Sequence, residues 1–251
     1  MSSTTPAQHP RPSSASSPSP SLTERRKAET RMEIARAAAD LFVRHGLRGT
    51  RAEDIAQAAG IAPRTFYRYF AGKEEAVAPL CAAGAQRWVE AVRAAPAGLS
   101  LPAALEHAVR HMLTPGAGVP AASWEWVRTL IRLCESSPAL RKVWAEVCRA
   151  SEDTLAEVLA ERESARGSGS HDNVAGSPPP GSRASRASRE SWEFSEPSEP
   201  SEFRFTAAVA SAVVRVAVES WAAGTAPATG PEGPAELALR NLEALRALRW
   251  G

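Results

Sequence analysis

The stretch from Thr50 to Phe70 constrains the fold of this chain more than any other. Its apolar spacing predicts a short helix from about residue 52 to 58, a tight turn at Gly60 and a second helix from about 63 to 69. A proline at position 63 suits a first helical turn, where its missing N–H would have no partner anyway. Helices this short are not stable alone, so both must pack against another element. The pattern therefore predicts a helix-turn-helix unit within a larger helical domain.

The second helix of this unit presents an outward face of cationic and hydroxyl-bearing side chains. These side chains are Arg64, Thr65, Tyr67, Arg68 and Tyr69. Such a face on one short helix is typical of insertion into the major groove of DNA. Arg64 is the best candidate for reading base edges, because arginine can donate two hydrogen bonds to guanine O6 and N7. A phosphate contact or a solvated side chain are the alternatives for Arg64.

Charge is distributed unevenly along the chain, although the formal net charge is only +2. Residues 24–73 contain 11 Lys and Arg against 6 Asp and Glu, whereas residues 74–251 contain 18 against 22. A basic module attached to a mildly acidic remainder fits a phosphate-binding head on a body with a different task. A solvated helix face gives the same surplus, so the asymmetry is supporting evidence.

Helical periodicity without strand-like alternation predicts an all-α fold. Residues 1–20, rich in Ser and Pro, are predicted to be a disordered tail. Residues 21–73 form the predicted three-helix, helix-turn-helix domain, whose first helix begins after an N-cap at Ser21 and ends at Gly46. Residues 74–251 form a larger helical domain. Its predicted helices lie at 74–95, 101–113, 122–135, 138–162, 205–223 and 234–248.

Residues 163–202 interrupt the helical pattern with Ser, Gly, Pro and charge. Arginine and then glutamate recur there every three residues, a period that matches neither helix nor strand, and apolar residues are nearly absent. This composition predicts a disordered insert between two core helices. A tolerated surface loop is the plain interpretation, since loop length costs little. Binding of a partner by the two charged blocks is the alternative.

Several residues of the larger domain are candidates for ligand binding. His107 and His111 lie four residues apart on a predicted helix, which suits a pair of metal ligands or a hydrogen bond to an effector. With no fixed third ligand, no metal site is predicted. Trp88, Trp124 and Trp126 are candidates to line an apolar pocket, although filling the helical core is the favoured interpretation for large aromatic side chains.

The cysteine pattern predicts a reducing, cytoplasmic environment. Cys81, Cys134 and Cys148 are too few and too scattered for a disulfide framework or a cysteine-rich zinc site. The most apolar run, residues 206–224, contains Arg215 and Glu219, so we interpret it as a buried helix and expect no membrane association. The sequence shows no phosphate-binding glycine loop, nucleophile elbow or zinc-protease motif, so we expect neither a cofactor nor an enzyme.

The segment from about residue 24 to 80 resembles the DNA-binding domain of the TetR family of bacterial repressors. The agreement is ungapped over many spaced positions. These are Ile34, Ala38, Leu41, Phe42, Gly46, Thr50, Ile55, Ala56, Ala59, Gly60, Ile61, Thr65, Tyr67, Tyr69, Phe70, Lys73 and Glu74. The resemblance implies a homodimeric transcriptional repressor that binds a double-stranded DNA operator and is released by an effector in its helical ligand-binding and dimerisation domain. It also implies that the helices at 205–223 and 234–248 form a four-helix bundle across the dimer axis.

The resemblance also implies individual roles. Tyr67, Tyr69 and Lys73 match family positions that clamp phosphates, and Thr50 and Arg51 complete the predicted DNA-contacting set. Arg51 departs from the family pattern, since Ser or Thr usually caps the second helix there. The cap is therefore expected to be weaker, although an arginine can still reach a phosphate.

A second, weaker similarity concerns the effector. Residues 131–141 and the helix from Phe205 resemble members with an acyl-CoA-like ligand-binding domain. The effector is therefore expected to be small and hydrophobic, with acyl-CoA preferred and an unrelated hydrophobic metabolite as the alternative. The cations expected at its phosphates are Arg128, Arg132, Arg141 and Lys142. The predicted ligand-binding set is Trp88, His107, His111, Trp124, Trp126, Arg128 and Arg132.

A protein of another class remains as a competing hypothesis. A helical carrier of lipids or small molecules would use the basic head to contact membranes or acidic partners. It would bind anionic vesicles and show no preference among DNA sequences. The groove-facing chemistry of residues 64–69 argues against it.

Overall fold

The structure is a computed structural model that describes residues 21–117, 119–169 and 199–247. Within these residues the regular elements are all helices, apart from one isolated bridge between Pro115 and Val119. The predicted all-α fold, with an N-terminal helix-turn-helix domain and a larger helical body, is thereby confirmed. The predicted tail and the middle of the predicted insert lie outside the described residues.

Three helices build the N-terminal head: α1 (Leu22–Gly49), α2 (Ala52–Ala58) and α3 (Pro63–Tyr69). Ser21 caps α1 as predicted, because its hydroxyl accepts a hydrogen bond from the backbone N–H of Glu24 at 3.2 Å. The regular geometry of α1 breaks at Gly46, where φ is +71°, and one further turn follows. A left-handed residue at the end of a helix is the position that favours glycine.

Six α-helices lie in the described part of the body. They are α4 (Ala78–Ala94), α5 (Leu101–Leu113), α6 (Trp124–Ser136), α7 (Pro138–Gly169), α8 (Pro200–Ala223) and α9 (Pro234–Ala247). Short 3-10 turns at Glu74–Val77 and Ala121–Ser123 precede α4 and α6. The buried faces of α4, α5, α7 and α8 meet in one apolar core, in which Val92, Leu105, Leu159 and Trp221 are enclosed.

Two predicted boundaries need correction at the insert. Helix α7 continues through Gly169 and α8 begins at Pro200, so both ends of the predicted insert, 163–169 and 200–202, are helical. Pro200 stands in the first turn of α8, where a proline is tolerated, and the side chain of Glu202 accepts from the backbone N–H of Glu199 at 3.1 Å. The three-residue charge repeat runs into the first turn of α8, so the sequence pattern gave no sign that the helix begins there.

Helix α8 is long and apolar enough to cross a membrane, judged by length and composition alone. In the structure it packs against α6, α7 and α9, and it buries Phe203, Ala210 and Trp221 among them. The ion pair between Arg215 and Glu219, with atoms 3.2 Å apart, lies within the same helix. These contacts are those of a core helix.

The apolar core of the head continues past residue 73 into the body. Ala76, Val77 and Cys81 pack with the head residues, and Leu140 of α7 joins them fully buried. Burial raises the pKa of Cys81 to about 12 and that of Cys134 to about 11. Both thiols are therefore protonated at neutral pH and serve as small apolar side chains.

Candidate nucleic-acid interface

The turn between α2 and α3 fixes the direction in which α3 faces. Gly60 has φ +67°, and the backbone N–H of Ile61 donates to the carbonyl of Ala56 at 2.9 Å. Ile55 of α2 and Phe66 of α3 are both fully buried in the head core. With Phe66 anchored inward, the opposite side of α3 must face solvent.

The outer face of α3 presents Arg64 and Arg68, which are both exposed. Neither guanidinium has a carboxylate partner among the described residues; Arg68 lies over the ring of Tyr69, with its Cζ 5.6 Å from the centroid. Tyr67 is 52 % exposed, and its hydroxyl donates to Glu53 Oε1 of α2 at 3.3 Å. Thr65 is half-buried. The face is therefore cationic and rich in hydrogen-bond donors.

Tyr69 ends α3 and is only partly accessible. Its backbone carbonyl accepts a hydrogen bond from Arg31 Nη1 at 3.0 Å, and the Arg31 guanidinium lies 4.7 Å from the centroid of the Phe70 ring. Arg31 thus ties α1 to the end of α3, a role that the sequence interpretation missed. Its spacing, three residues before buried Ile34, placed it on the inner side of α1 and was the available signal.

Thr50 and Lys73, both predicted to contact DNA, have other roles in the structure. Thr50 is 1 % exposed, and its hydroxyl donates to the carbonyl of Gly46 at 2.9 Å. Lys73 Nζ donates to the carbonyls of Leu47 and Thr50 at 2.7 and 2.8 Å. Both side chains satisfy carbonyls that the end of α1 leaves without intrahelical partners. We therefore reassign Thr50, placed in the DNA-contacting set, and Lys73, expected to clamp a phosphate, as supports of the α1 end.

Arg51 is exposed at the start of α2, the helix that packs against α3. Its backbone N–H donates to Asp54 Oδ2 at 2.8 Å, so a carboxylate three residues later closes the N-terminus of α2. The expected weakening of this cap is thus offset by Asp54, and the Arg51 side chain is left accessible.

The tryptophans named as candidates for a ligand pocket are core residues, which was the favoured alternative for them. Trp88 and Trp124 are each 4 % exposed. Trp124 packs edge-to-face on Trp221, with ring centroids 5.3 Å apart. Trp126 lies elsewhere: it packs against the head core, and its indole N–H donates to Asp40 Oδ1 of α1 at 3.1 Å. It joins body to head and is not among the residues that line the apolar cleft between α5, α8 and α9.

Arg128 and Arg132, predicted to hold effector phosphates, instead bind the C-terminal end of α8. Arg128 is 6 % exposed, its Cζ lies 4.2 Å above the Trp221 ring, and its guanidinium donates to the carbonyl of Ala226. Arg132 donates to the carbonyl of Gly224 at 2.6 Å. The Ala226 carbonyl also accepts a hydrogen bond from Trp221 Nε1 at 3.1 Å, and arginine near a helix C-terminus stabilises the carbonyls there, so these interactions are structural.

Three further candidates are on the surface. His107 and His111 are exposed on α5, and no group of three or more His, Cys, Asp or Glu able to hold a metal occurs in the part of the chain that the structure describes. Arg141, named as a further phosphate partner, donates to the carbonyl of Glu135. None of these side chains lines the apolar cleft described below.

Comparison with known proteins identifies this helical head and body. The family model described as bacterial regulatory proteins of the tetR family matches residues 34–78, and that of the MftR C-terminal domain matches residues 99–171. The transcriptional regulator TcmR of Streptomyces glaucescens is 32% identical over 155 residues, which cover 61% of this chain and 69% of TcmR. The chain belongs to the TetR family of DNA-binding transcriptional regulators.

A shorter match and two solved structures accompany these findings. MftR of Mycobacterium tuberculosis, a proposed transcriptional regulator of mycofactocin biosynthesis, is 45% identical over 56 residues. This match covers 22% of this chain and 28% of MftR. GusR of Salmonella enterica has a TM-score of 0.49 at 18% identity, covering 87% of this chain and 92% of GusR. A TetR-family regulator from Rhodococcus sp. has the same TM-score and identity, and the match covers 87% of this chain and 99% of the Rhodococcus protein.

Proposed function

We propose that the protein is a homodimeric repressor that inserts α3 of each protomer into the major groove of a near-palindromic operator. The observation that carries the proposal is the outer face of α3, where Arg64 and Arg68 are exposed without a carboxylate partner among the described residues. Arg64, near the N-terminal end of α3, reads a base edge, because recognition helices contact bases with their N-terminal residues. Arg51, Thr65, Tyr67, Arg68 and Tyr69 position the helix through phosphates.

Footprinting tests this function directly. Purified protein should protect a near-palindromic site in the DNA upstream of its own gene, with half-sites about one helical turn apart or a multiple of it. Protection of no sequence across genomic fragments, together with binding to anionic vesicles, would favour the carrier hypothesis instead. Such a result would overturn the proposal.

An apolar stripe on α8 supports the dimer. Phe205, Val209, Ala212 and Val216 recur at helical spacing on one side of α8, and Phe205 and Val216 remain 65 % and 44 % exposed. Large apolar side chains aligned on one exposed helix face are characteristic of protein interfaces. A symmetric dimer buries the same patch from both protomers. We therefore assign this stripe, with the neighbouring face of α9, to the dimer interface.

Val216→Glu tests the interface, since it places a charge in the stripe at a position that the single chain leaves exposed. The variant should be monomeric in analytical ultracentrifugation and should bind the operator more weakly, because each monomer can contact only one half-site. Glu157→Gln, on an exposed position of α7, is the control. A Val216→Glu protein that stays dimeric contradicts the assignment.

The effector proposed here is a small hydrophobic molecule that binds between α5, α8 and α9. An apolar cleft lies there, lined by Leu101, Leu105, Val209, Leu242 and Leu245. Arg246 stands at its edge, 2.7 Å from Glu106 Oε1. Since Val209 also belongs to the stripe on α8, an effector in the cleft would act on the dimer interface directly. Arg128, Arg132 and Arg141 are engaged elsewhere, so they no longer support acyl-CoA over other hydrophobic molecules.

A screen of thermal stabilisation and DNA release tests the cleft. Fatty acids and acyl-CoA esters of several chain lengths should be compared with uncharged hydrophobic compounds. Leu242→Trp, which narrows the cleft, should abolish the response, whereas Ala244→Trp, on an exposed position of the same helix, should keep it. An unchanged response in Leu242→Trp places the effector site elsewhere.

The regulator acts, in this proposal, in the cytoplasm, where it meets the chromosome, and it performs no catalysis. Its partners are the operator, the effector and a second copy of the chain, and it needs no cofactor. The support is the family membership together with the DNA-facing chemistry of α3.

A further inference from the structure

The cleft between α5, α8 and α9 has one charged side chain among the described residues that line it. The other lining residues are apolar, with Thr206 as the exception. The charged residue is Arg246, on the last described turn of α9. A molecule that fills this cleft therefore meets apolar walls and a single cation.

Arg246 already lies next to one carboxylate and still has donors to offer. Its Nη1 is 2.7 Å from Oε1 of Glu106 on α5, and 48 % of the Arg246 side chain is exposed. The other two guanidinium nitrogens, Nη2 and Nε, have no hydrogen-bond partner among the described residues. Because a guanidinium carries five N–H donors in a planar fork, Arg246 can bind a second carboxylate without releasing Glu106.

A second ion pair joins the same two helices away from the cleft. Arg110 of α5 lies 3.7 Å from Glu236 of α9, and neither residue is among those that line the cleft. Both ion pairs hold α5 to α9, but only Arg246 also borders the apolar walls. Arg110 is therefore the matched control for a cation whose role is structural alone.

The sign of the charge at the cleft decides which ligands fit it. Arg246 lines the cleft, whereas Glu106 is not among the lining residues. A cation attracts an anionic group and repels an ammonium group, and apolar surroundings strengthen both effects. A carboxylate matches a guanidinium best, since it can accept two parallel hydrogen bonds from it. The lining therefore favours a molecule that combines an apolar body with one carboxylate.

We propose that the effector is an apolar monocarboxylic acid whose carboxylate binds Arg246 while its apolar part packs against Leu105, Leu242 and Leu245. The inference rests on the proposed effector cleft and names the chemical class that the cleft takes. The bound carboxylate shares one guanidinium with Glu106, so two negative charges lie close together. Glu106 therefore limits the affinity for the acid, and its neutralisation should raise that affinity.

Isothermal titration calorimetry on the whole protein tests the class with three probes that share one alkyl chain. The probes are decanoic acid, decanol and decylamine, which are an anion, a neutral molecule and a cation at about pH 7. Wild type should bind decanoic acid about fivefold more tightly than decanol, which is the gain expected from a partly exposed ion pair. Decylamine should bind most weakly, because Arg246 repels it.

Four variants show whether Arg246 is the source of this preference. Arg246→Gln should bind the acid and the alcohol equally, whereas Arg246→Lys should keep most of the preference because it keeps the charge. Glu106→Gln should bind decanoic acid more tightly than wild type and leave the affinity for decanol unchanged. The control, Arg110→Gln, breaks the other ion pair between α5 and α9 and should keep the wild-type affinities for all three probes.

Several outcomes overturn the inference and leave the proposed cleft in place. Equal binding of acid and alcohol by wild type is one of them, and a preference for decylamine, which would make Glu106 the polar partner, is another. A preference for the acid that persists in Arg246→Gln, or that disappears equally in Arg110→Gln, also contradicts it. So does a wild-type protein that binds none of the three probes but responds to an uncharged compound.

One further measurement separates failure of the inference from failure of the proposed effector site. Leu242→Trp narrows the cleft and should lose affinity for decanoic acid. If this variant binds the acid as tightly as wild type, the acid binds outside the cleft, and the inference and the proposed effector site fail together. The proposed binding of an operator is judged separately by footprinting.

Discussion

Arginine has opposite roles in the head and in the body of this protein. On α3, Arg64 and Arg68 are exposed and have no carboxylate partner among the described residues. In the body, Arg128 and Arg132 bind carbonyls at the C-terminal end of α8, and Arg162 binds those after α4. A guanidinium with no protein partner is free to meet phosphate, whereas one with its donors used holds helices together. The residue type alone does not distinguish these two roles of arginine.

The largest expected effect is that of Arg128→Met. The substitution keeps much of the side-chain volume but removes the stacked cation over Trp221 and one of the two hydrogen bonds that the Ala226 carbonyl accepts, the other coming from Trp221 Nε1 at 3.1 Å. We expect the free energy of unfolding to fall by about 2–4 kcal/mol. Urea denaturation measures this loss. Unchanged stability, with a weaker response to effector, would return Arg128 to the ligand-binding set.

Arg64→Ala should have the complementary effect, on DNA binding and not on stability. Operator affinity should fall by about 1–3 kcal/mol, and preference at one base pair should relax. Thermal melting should match wild type, because the Arg64 side chain has no hydrogen bond or ion pair among the described residues that would be lost. Arg149→Ala, an exposed arginine of α7, is the control. Uniform loss of affinity across all sequences would identify Arg64 as a phosphate contact.

The head illustrates what the sequence could predict. The lengths of α2 and α3, the turn at Gly60 and the inward side of Phe66 all follow from spacing within about twenty residues, so local pattern was enough. The outward face of α3 follows from the same spacing. The family signature added the identity of the ligand, DNA.

The body illustrates what the sequence could not predict. The partners of Arg128 and Arg132 are backbone carbonyls that lie 98 and 92 residues further along the chain. Carbonyls at a helix end have no residue-specific signature, so no pattern pointed to them. Trp126 was similarly misassigned because its partner, Asp40, lies 86 residues away. Such contacts become visible only when packing brings distant segments together.

Lys73 lies at the border between head and body, and it tests whether a cation there supports the fold or binds DNA. Lys73→Met keeps the apolar stem but removes the hydrogen bonds to the carbonyls of Leu47 and Thr50, so the free energy of unfolding should fall by about 1–2 kcal/mol. The salt slope of DNA binding should stay at the wild-type value. A slope flatter by about 0.9 with unchanged stability would instead show that Lys73 contacts a phosphate.

The smallest expected effect concerns the hydrogen bond between Trp126 Nε1 and Asp40 Oδ1, which joins the body to the head. Trp126→Phe keeps an aromatic ring against the head core and removes the donor, whereas Asp40→Asn keeps an acceptor but removes the charge. A double-mutant cycle with these variants should give a coupling of about 0.5–1 kcal/mol in unfolding free energy, since the pair is accessible to solvent. The same cycle, measured on DNA release by effector, asks whether this contact transmits the signal: we expect release to need more effector when either partner is changed. Additive effects on stability, together with normal DNA release, would mean that Trp126 and Asp40 are not energetically coupled. The head would then be held to the body by the shared apolar core alone.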